Sequence, residues 1–252
     1  MTPRLVPPLP PAQVVTGNFG AAPETGWQAA GAALFSAHLA AMASQPLHEL
    51  GPADPGAEPA AIGFALCLAA AWAGKSGTIW AGEEGVFAED GAPYPPGLAQ
   101  FGLDPAGLIV VRAGKREECL WAAEQALSAR GAVVVCALGA RGKPLDLKAT
   151  RRLLLFAERN GSKCLLVRPL ADASAAWTRW RVSPAPSEAE ERELGPPAYK
   201  LELIRNRAGP AGARFTIEWN AHARAFRERD VARDRSAASF DGPADPIRAR
   251  AR

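Results

Sequence analysis

The stretch Leu47–Ala73, LHELGPADPGAEPAAIGFALCLAAAWA, decides the fold. It opens on a short strand, Gln45–Leu50, counted from the preceding glutamine. Glycines and prolines break the chain between Gly51 and Pro59, and from Ala60 to Ala73 it is apolar on nearly every side. A helix apolar all round is a buried helix, so this one is expected to pack on a sheet. The unit is strand, glycine turn, buried helix.

Working outward, Gly77–Ala81 (GTIWA), Leu108–Val111 (LIVV), Ala132–Ala137 (AVVVCA) and Cys164–Val167 (CLLV) are further short apolar strands. Helical spacing marks Ala29–Ala43, Glu117–Arg130 and Leu147–Arg159, the last with Asp146 as N-cap and Asn160-Gly161 as its stop. Between the second and third strands lie a turn-rich segment, Gly82–Pro96, and a short helix near Leu98–Phe101. Apolar strands alternating with helices predict a parallel sheet covered on both faces. From Trp177 the rhythm changes: WTRWRV, YKLELIR and RFTIEW alternate apolar and polar residues at period two, as antiparallel strands with one solvated face do. The expected fold class is therefore α/β: a mainly parallel sheet with helices on both faces, plus C-terminal antiparallel strands. A Pro-rich leader (1–25) precedes this core (26–222), and an Arg-rich, disordered tail (223–252) follows it. The charged, Pro-flanked insert Ser183–Pro197 is expected to be mobile.

Composition limits the chemistry. The chain has 252 residues, 48% of them hydrophobic, which is enough for a large core, and a net charge of +3, too small to coat DNA. Four cysteines sit in apolar stretches without a C-x-x-C pair and read as buried, reduced thiols. Three scattered histidines give no metal motif, so no metal or organic cofactor is expected. The longest apolar run has 14 residues, short of the ~20 that a membrane helix needs. The N-terminus lacks the apolar segment of a signal peptide, so a cytoplasmic protein without membrane contact is expected.

The turn Gly51–Pro59 has the glycine spacing of a phosphate-binding loop, G-x-x-x-x-G-K-[ST], at Gly51 and Gly56. Its chemistry has been removed. Ala57 stands where the phosphate-gripping Lys belongs, and Glu58 where a hydroxyl would hold Mg²⁺. Pro55 lacks the N–H that such a loop aims at phosphate. A carboxylate at ~4 Å from a phosphate charge repels it by roughly 4 kcal/mol at an effective dielectric near 20. The same carboxylate favours the helix, because an acid in the first turn complements the helix dipole. A site that supplies its own anion is the reading these residues support.

The order of strand, G-x-x-x-x-G turn and helix, followed by GTIWAGEEG, YPPGLAQFGLDPAGLIVVRA, LWAAEQAL and AVVVCA, resembles the core of RecA recombinase. LHELGPADPG, AAIGFALCLAA, YPPGLAQFGLDP, LVRP, AAWTRWRV, LELIRNR and FTIEW are more similar to the ImuA family, RecA-like accessory proteins of bacterial damage-inducible mutagenesis cassettes. The resemblance spans roughly Leu47–Trp219 and implies a RecA-like core. It also implies an SOS-response role in translesion DNA synthesis. The partners it implies are an ImuB-like protein, an error-prone C-family DNA polymerase and RecA itself, with only indirect or weak DNA contact. The RecA catalytic positions fall on Ala57, Glu58 and Cys136 or Ala137, which leaves a pseudo-ATPase with a degenerate loop. The glutamate after the second strand persists at Glu83 or Glu84, read as a vestigial, solvated loop acid. A DNA-stimulated RecA-like ATPase and a SulA-type cell-division inhibitor are the alternatives.

Partner contact is expected from arginines. In WTRWRV, Trp180 and Val182 share one face and Arg179 and Arg181 the other, so a packed Trp face turns both arginines outward. Arg205 and Arg207 of LIRNR, with Arg224 and Arg227 of the tail, extend this candidate surface. Arg141 and Lys143 follow AVVVCA and Arg168 follows CLLV, where surface charge is expected.

Overall fold

A computed structural model describes residues 29–73, 77–170, 173–187 and 195–229. The leader, most of the acidic insert and the distal tail lie outside the described residues. Among these residues nine strands form one mixed sheet in the order β3-β2-β4-β5-β1-β6-β7-β8-β9. The strands are β1 (Leu47–Pro52), β2 (Thr78–Glu83), β3 (Leu108–Ala113), β4 (Val133–Ala137), β5 (Lys163–Val167), β6 (Thr178–Pro184), β7 (Ala198–Asn206), β8 (Arg214–Asn220) and β9 (Ala225–Glu228). All pairs from β3 through to β6 are parallel, and those from β6 onward are antiparallel. The expected α/β architecture holds.

Among the described residues six α-helices cover the two faces: α1 (Ala29–Ala43), α2 (Glu58–Trp72), α3 (Glu84–Asp90), α4 (Pro95–Gln100), α5 (Arg116–Leu127) and α6 (Leu147–Asn160). Strand alternation divides the core. Leu50, Trp80, Val133, Val135 and Trp180 face α2, with residues of α1, α3 and α4 in the same cluster. Leu47, Ile79, Ala81, Val134 and Cys136 face α5 and α6. α2 buries nine residues from Ala61 to Ala70, as its all-round apolarity requires. On α6, Asp146 accepts the Ala149 N–H at 2.8 Å and Gly161 takes the left-handed stop at φ 61°.

Two expectations change, and the place of one strand is new. The turn-rich segment contains a helix, α3, whose Val86 and Phe87 reach the core. The β-branched run LIVV, whose composition suits an interior strand, forms the outermost strand β3, and Ile109 is 61% exposed. Among the described residues no strand pairs with the other side of β3. The first residues assigned to the tail belong to the sheet: β9 pairs with β8, and Phe226 packs on Trp219 at 4.7 Å between ring centroids.

His48 ties α1 to the sheet. It is fully buried on β1, between the Thr178 hydroxyl at 2.8 Å and the carbonyl of Met42 at 2.9 Å. Trp180 donates its indole N–H to the same hydroxyl at 2.9 Å. With Nε2–H donating to Met42, Nδ1 accepts from Thr178, and the neutral ring satisfies every partner. Burial, the largest influence, lowers the His48 pKa to about 4. The unfolded chain takes up this proton near pH 6.5, so this contribution is complete above that pH and disappears as the pH falls toward 4. The expected loss is about 2 kcal/mol between pH 7 and pH 5. His48→Gln should flatten that dependence in urea melts; an unchanged slope would show that other groups set it.

Candidate functional site

The turn after β1 is built from prolines, glycines and internal hydrogen bonds. Gly51 lies within β1, and a Cβ there would collide with Leu170 Cγ and come within 2.9 Å of the Arg168 carbonyl. The segment after β5 therefore crosses directly over it, and this close approach requires the glycine. Gly56 has φ +92°, a conformation open to glycine, and nothing lies within 4 Å of where its Cβ would be.

Few donors in this turn point outward. Pro52, Pro55 and Pro59 have no N–H. Ala53 N–H bonds the Val182 carbonyl at 2.8 Å, and Ala57 N–H the Asp54 carbonyl at 3.0 Å. Gly56 N–H donates to the Glu58 carboxylate at 2.6 Å. The acid at the head of α2 thus occupies the amide that a phosphate loop would offer its ligand. Ala57, buried, is the N-cap and brings no side-chain bond to the helix. The surroundings are also acidic: burial first, then Glu58 and Glu89, hold the Asp90 carboxyl above the usual carboxylate range. Residues 51–59 carry no ammonium or hydroxyl side chain, and Asp54 and Glu58 add carboxylates to the turn.

Glu83 is no solvated loop acid. Its side chain is 14% exposed, accepts the Gly139 N–H at 2.9 Å and pairs with Arg116 at 2.7 Å. It shares strand parity with Ala81, so it turns toward α5, away from the face that carries α2. Arg116 also donates to the carbonyls of Gly139 and Arg141, both at 2.6 Å, and to that of Lys143. One guanidinium thereby gathers the loop that follows β4. The neighbouring Glu84 is the exposed acid, paired with Arg112.

The arginine surface is only partly a surface. Arg179 is largely buried, with Nε 2.6 Å from Glu49, a fully buried carboxylate on β1. Arg168, also buried, pairs with the other oxygen of Glu49, so it is not the surface charge that its position suggests. The two guanidinia fasten β5 and β6 to β1 from either side. Arg181 is the outward one, pairing with Glu202 at 2.6 Å, a carboxylate it shares with Arg214. Arg205 and Arg207 are exposed, but they brace the chain before β6. Arg205 donates to the Ser174 carbonyl, and Arg207 donates to that of Ala175 and lies over the Trp177 ring at 5.1 Å. Arg224 makes the left-handed turn into β9 at φ 47°, and Arg227 reaches the buried Glu218 at 2.6 Å. These candidates do not converge on one patch. The sequence did not reveal Glu49, because one acid in a β-strand carries no sign of two arginines more than a hundred residues away.

Removing one member of a buried ion cluster leaves uncompensated charge, worth about 3–5 kcal/mol. Glu49→Gln and Arg179→Glu should each lower the stability of the chain by that order in urea melts. Arg181→Glu, acting on an exposed pair, should cost no more than about 1 kcal/mol. Equal effects at positions 179 and 181 would contradict the burial assigned to Arg179.

No family model matches the chain. It is 38% identical over 133 residues to Protein ImuA of Caulobacter vibrioides, from strain NA1000 / CB15N and from strain ATCC 19089 / CIP 103742 / CB 15 alike. The match covers 47% of this chain and 53% of the relative, so the chain spans about half the length of the curated relatives it matches. Among solved structures, the RadB recombinase aligns with a TM-score of 0.49 and 14% identity, covering 74% of this chain and 91% of that one. SulA from Pseudomonas aeruginosa aligns with a TM-score of 0.36 and 16% identity, covering 49% and 97%. No helix among the described residues is long and apolar enough to cross a membrane. Over those 133 residues the chain is similar to the ImuA proteins of Caulobacter vibrioides.

Proposed function

We propose that the chain is a non-catalytic adaptor of a damage-inducible translesion DNA synthesis complex. In this reading it holds an ImuB-like protein and an error-prone C-family polymerase together, with RecA as a further contact. The similarity to ImuA supports the setting, and the turn at the head of α2 supports the absence of catalysis. The observation that carries the reading is the hydrogen bond from Gly56 N–H to the Glu58 carboxylate. It places a fixed negative charge on the amide that nucleotide chemistry would need, and Ala57 provides no cation to offset it. A protein with such a turn works through its surfaces. The arginines left exposed by the ion pairs described above, Arg181 above all, are part of what it presents.

The test is direct. Titration of the full chain with Mg²⁺-ATP in a calorimeter should give no binding up to millimolar nucleotide. Added single-stranded DNA should produce no hydrolysis. Micromolar binding, or turnover that survives repeated purification, would overturn the adaptor reading in favour of a DNA-stimulated ATPase. Co-expression with an ImuB-like protein should yield a stoichiometric complex that survives gel filtration; its absence would remove the adaptor role.

A further inference from the structure

The outer surface of α5 and α6 carries large side chains for which the fold has no use. α6 buries Thr150, Leu153, Leu154 and Ala157 against the sheet. Lys148, Leu155 and Arg159, spaced by seven and then four residues, therefore line its outward side. α5 buries Cys119, Ala123 and Leu127, which turns Trp121 outward. The helices lie side by side on one face and are joined by Arg152 and Glu124 at 2.5 Å. Both connect parallel strands of the same sheet, so they run in the same direction. Trp121 precedes Glu124 by three residues and Leu155 follows Arg152 by three. The tryptophan and the leucine thus stand about one turn to either side of the ion pair.

Their exposure is unusual: 62% for Trp121, 40% for Leu155, and 51% for Leu147 at the head of α6. Lys148, Arg151 and Arg159 are exposed beside them and, among the described residues, make no ion pair. Glu158 is the one acid on the exposed side of α6. Apolar anchors set among unpaired cations form a surface with two unmet requirements.

We propose that this α5–α6 face is the docking surface for an acidic, amphipathic helical segment of a partner protein. Leucines or aromatics on one side of such a helix cover Trp121 and Leu155, and carboxylates on its flanks meet Lys148, Arg151 and Arg159. Tryptophan and arginine are the residue types that dominate interface energetics. Two other occupants fit less well. A nucleic acid strand leaves Leu147 and Leu155 in water and brings phosphates toward Glu117 and Glu118, one turn from Trp121. A second copy meeting the same face across a twofold axis sets like charge against like charge. The proposal stands on the surface of the helices and is independent of whether the turn at Gly56 binds nucleotide.

The probe is a fluorescent eighteen-residue peptide with leucines at helical spacing and glutamates elsewhere, titrated against the full chain by anisotropy. Binding should weaken at least tenfold in Trp121→Ala and in the triple variant Lys148→Glu, Arg151→Glu, Arg159→Glu. It should also weaken when glutamine replaces glutamate in the peptide. All these positions are exposed, so the variants should melt with the parent chain. Unchanged peptide binding in both variants would overturn the proposal. So would tighter binding of an oligothymidylate that is lost in the triple variant, or self-association in sedimentation velocity that Trp121→Ala abolishes.

Discussion

A buried carboxylate with a guanidinium on each side holds the two halves of the sheet together. Glu49 lies on β1, with Arg168 at the end of β5 and Arg179 on β6. β6 is the last parallel neighbour and the first strand with an antiparallel partner. The charges sit at the seam between the two modes of pairing. Taking three ionic groups out of water is costly, and their mutual attraction compensates only in good geometry. This arrangement gives register more than raw stability, because sliding β6 by one residue would turn Arg179 to the opposite face.

The seam also sets the path of the chain beyond β1. The backbone leaves the sheet at Pro52 and passes through a turn tied back to β6 by the Ala53–Val182 hydrogen bond, then enters α2. Phe64 of α2 packs on Tyr199 of β7 and Phe226 of β9, which holds the helix against the sheet. In this turn the amides of Ala53, Gly56 and Ala57 are bonded to the protein's own carbonyl and carboxylate oxygens. On the other face, Glu83 and Arg116 fix the loop after β4 in a similar way. Contacts within the chain thus hold both segments, through Glu58 in one and Glu83 with Arg116 in the other.

The sequence revealed those parts of the fold that rest on local pattern. The apolar runs of β1, β2, β4 and β5, the buried α2, the caps at Asp146 and Gly161 and the alternation in WTRWRV are readable because period and capping are local properties. What escaped depends on distant residues. Alternation puts Arg179 and Arg181 on one side of β6, yet Glu49 buries one and Glu202 leaves the other at the surface. The composition of LIVV describes an interior strand, whereas its place at the edge comes from strand order. β9 is four residues long and rich in charge, and it becomes a strand because Phe226 finds Phe35, Phe64 and Trp219. At the candidate site the missing lysine and hydroxyl were legible, whereas the direction of Glu83 required the sheet parity.

Gly51 shows how neighbouring chain can dictate a residue without any ligand. Any side chain there collides with Leu170 and the Arg168 carbonyl, so the position is restricted to glycine by its neighbours, whatever the turn binds. The left-handed backbone at Gly56 restricts the second position for an unrelated reason. Two steric demands, neither involving a ligand, thus preserve the five-residue rhythm that scanning for ATP-utilising enzymes rewards. At this turn one glycine answers to crowding and the other to the handedness of the backbone, so their spacing alone does not announce a ligand.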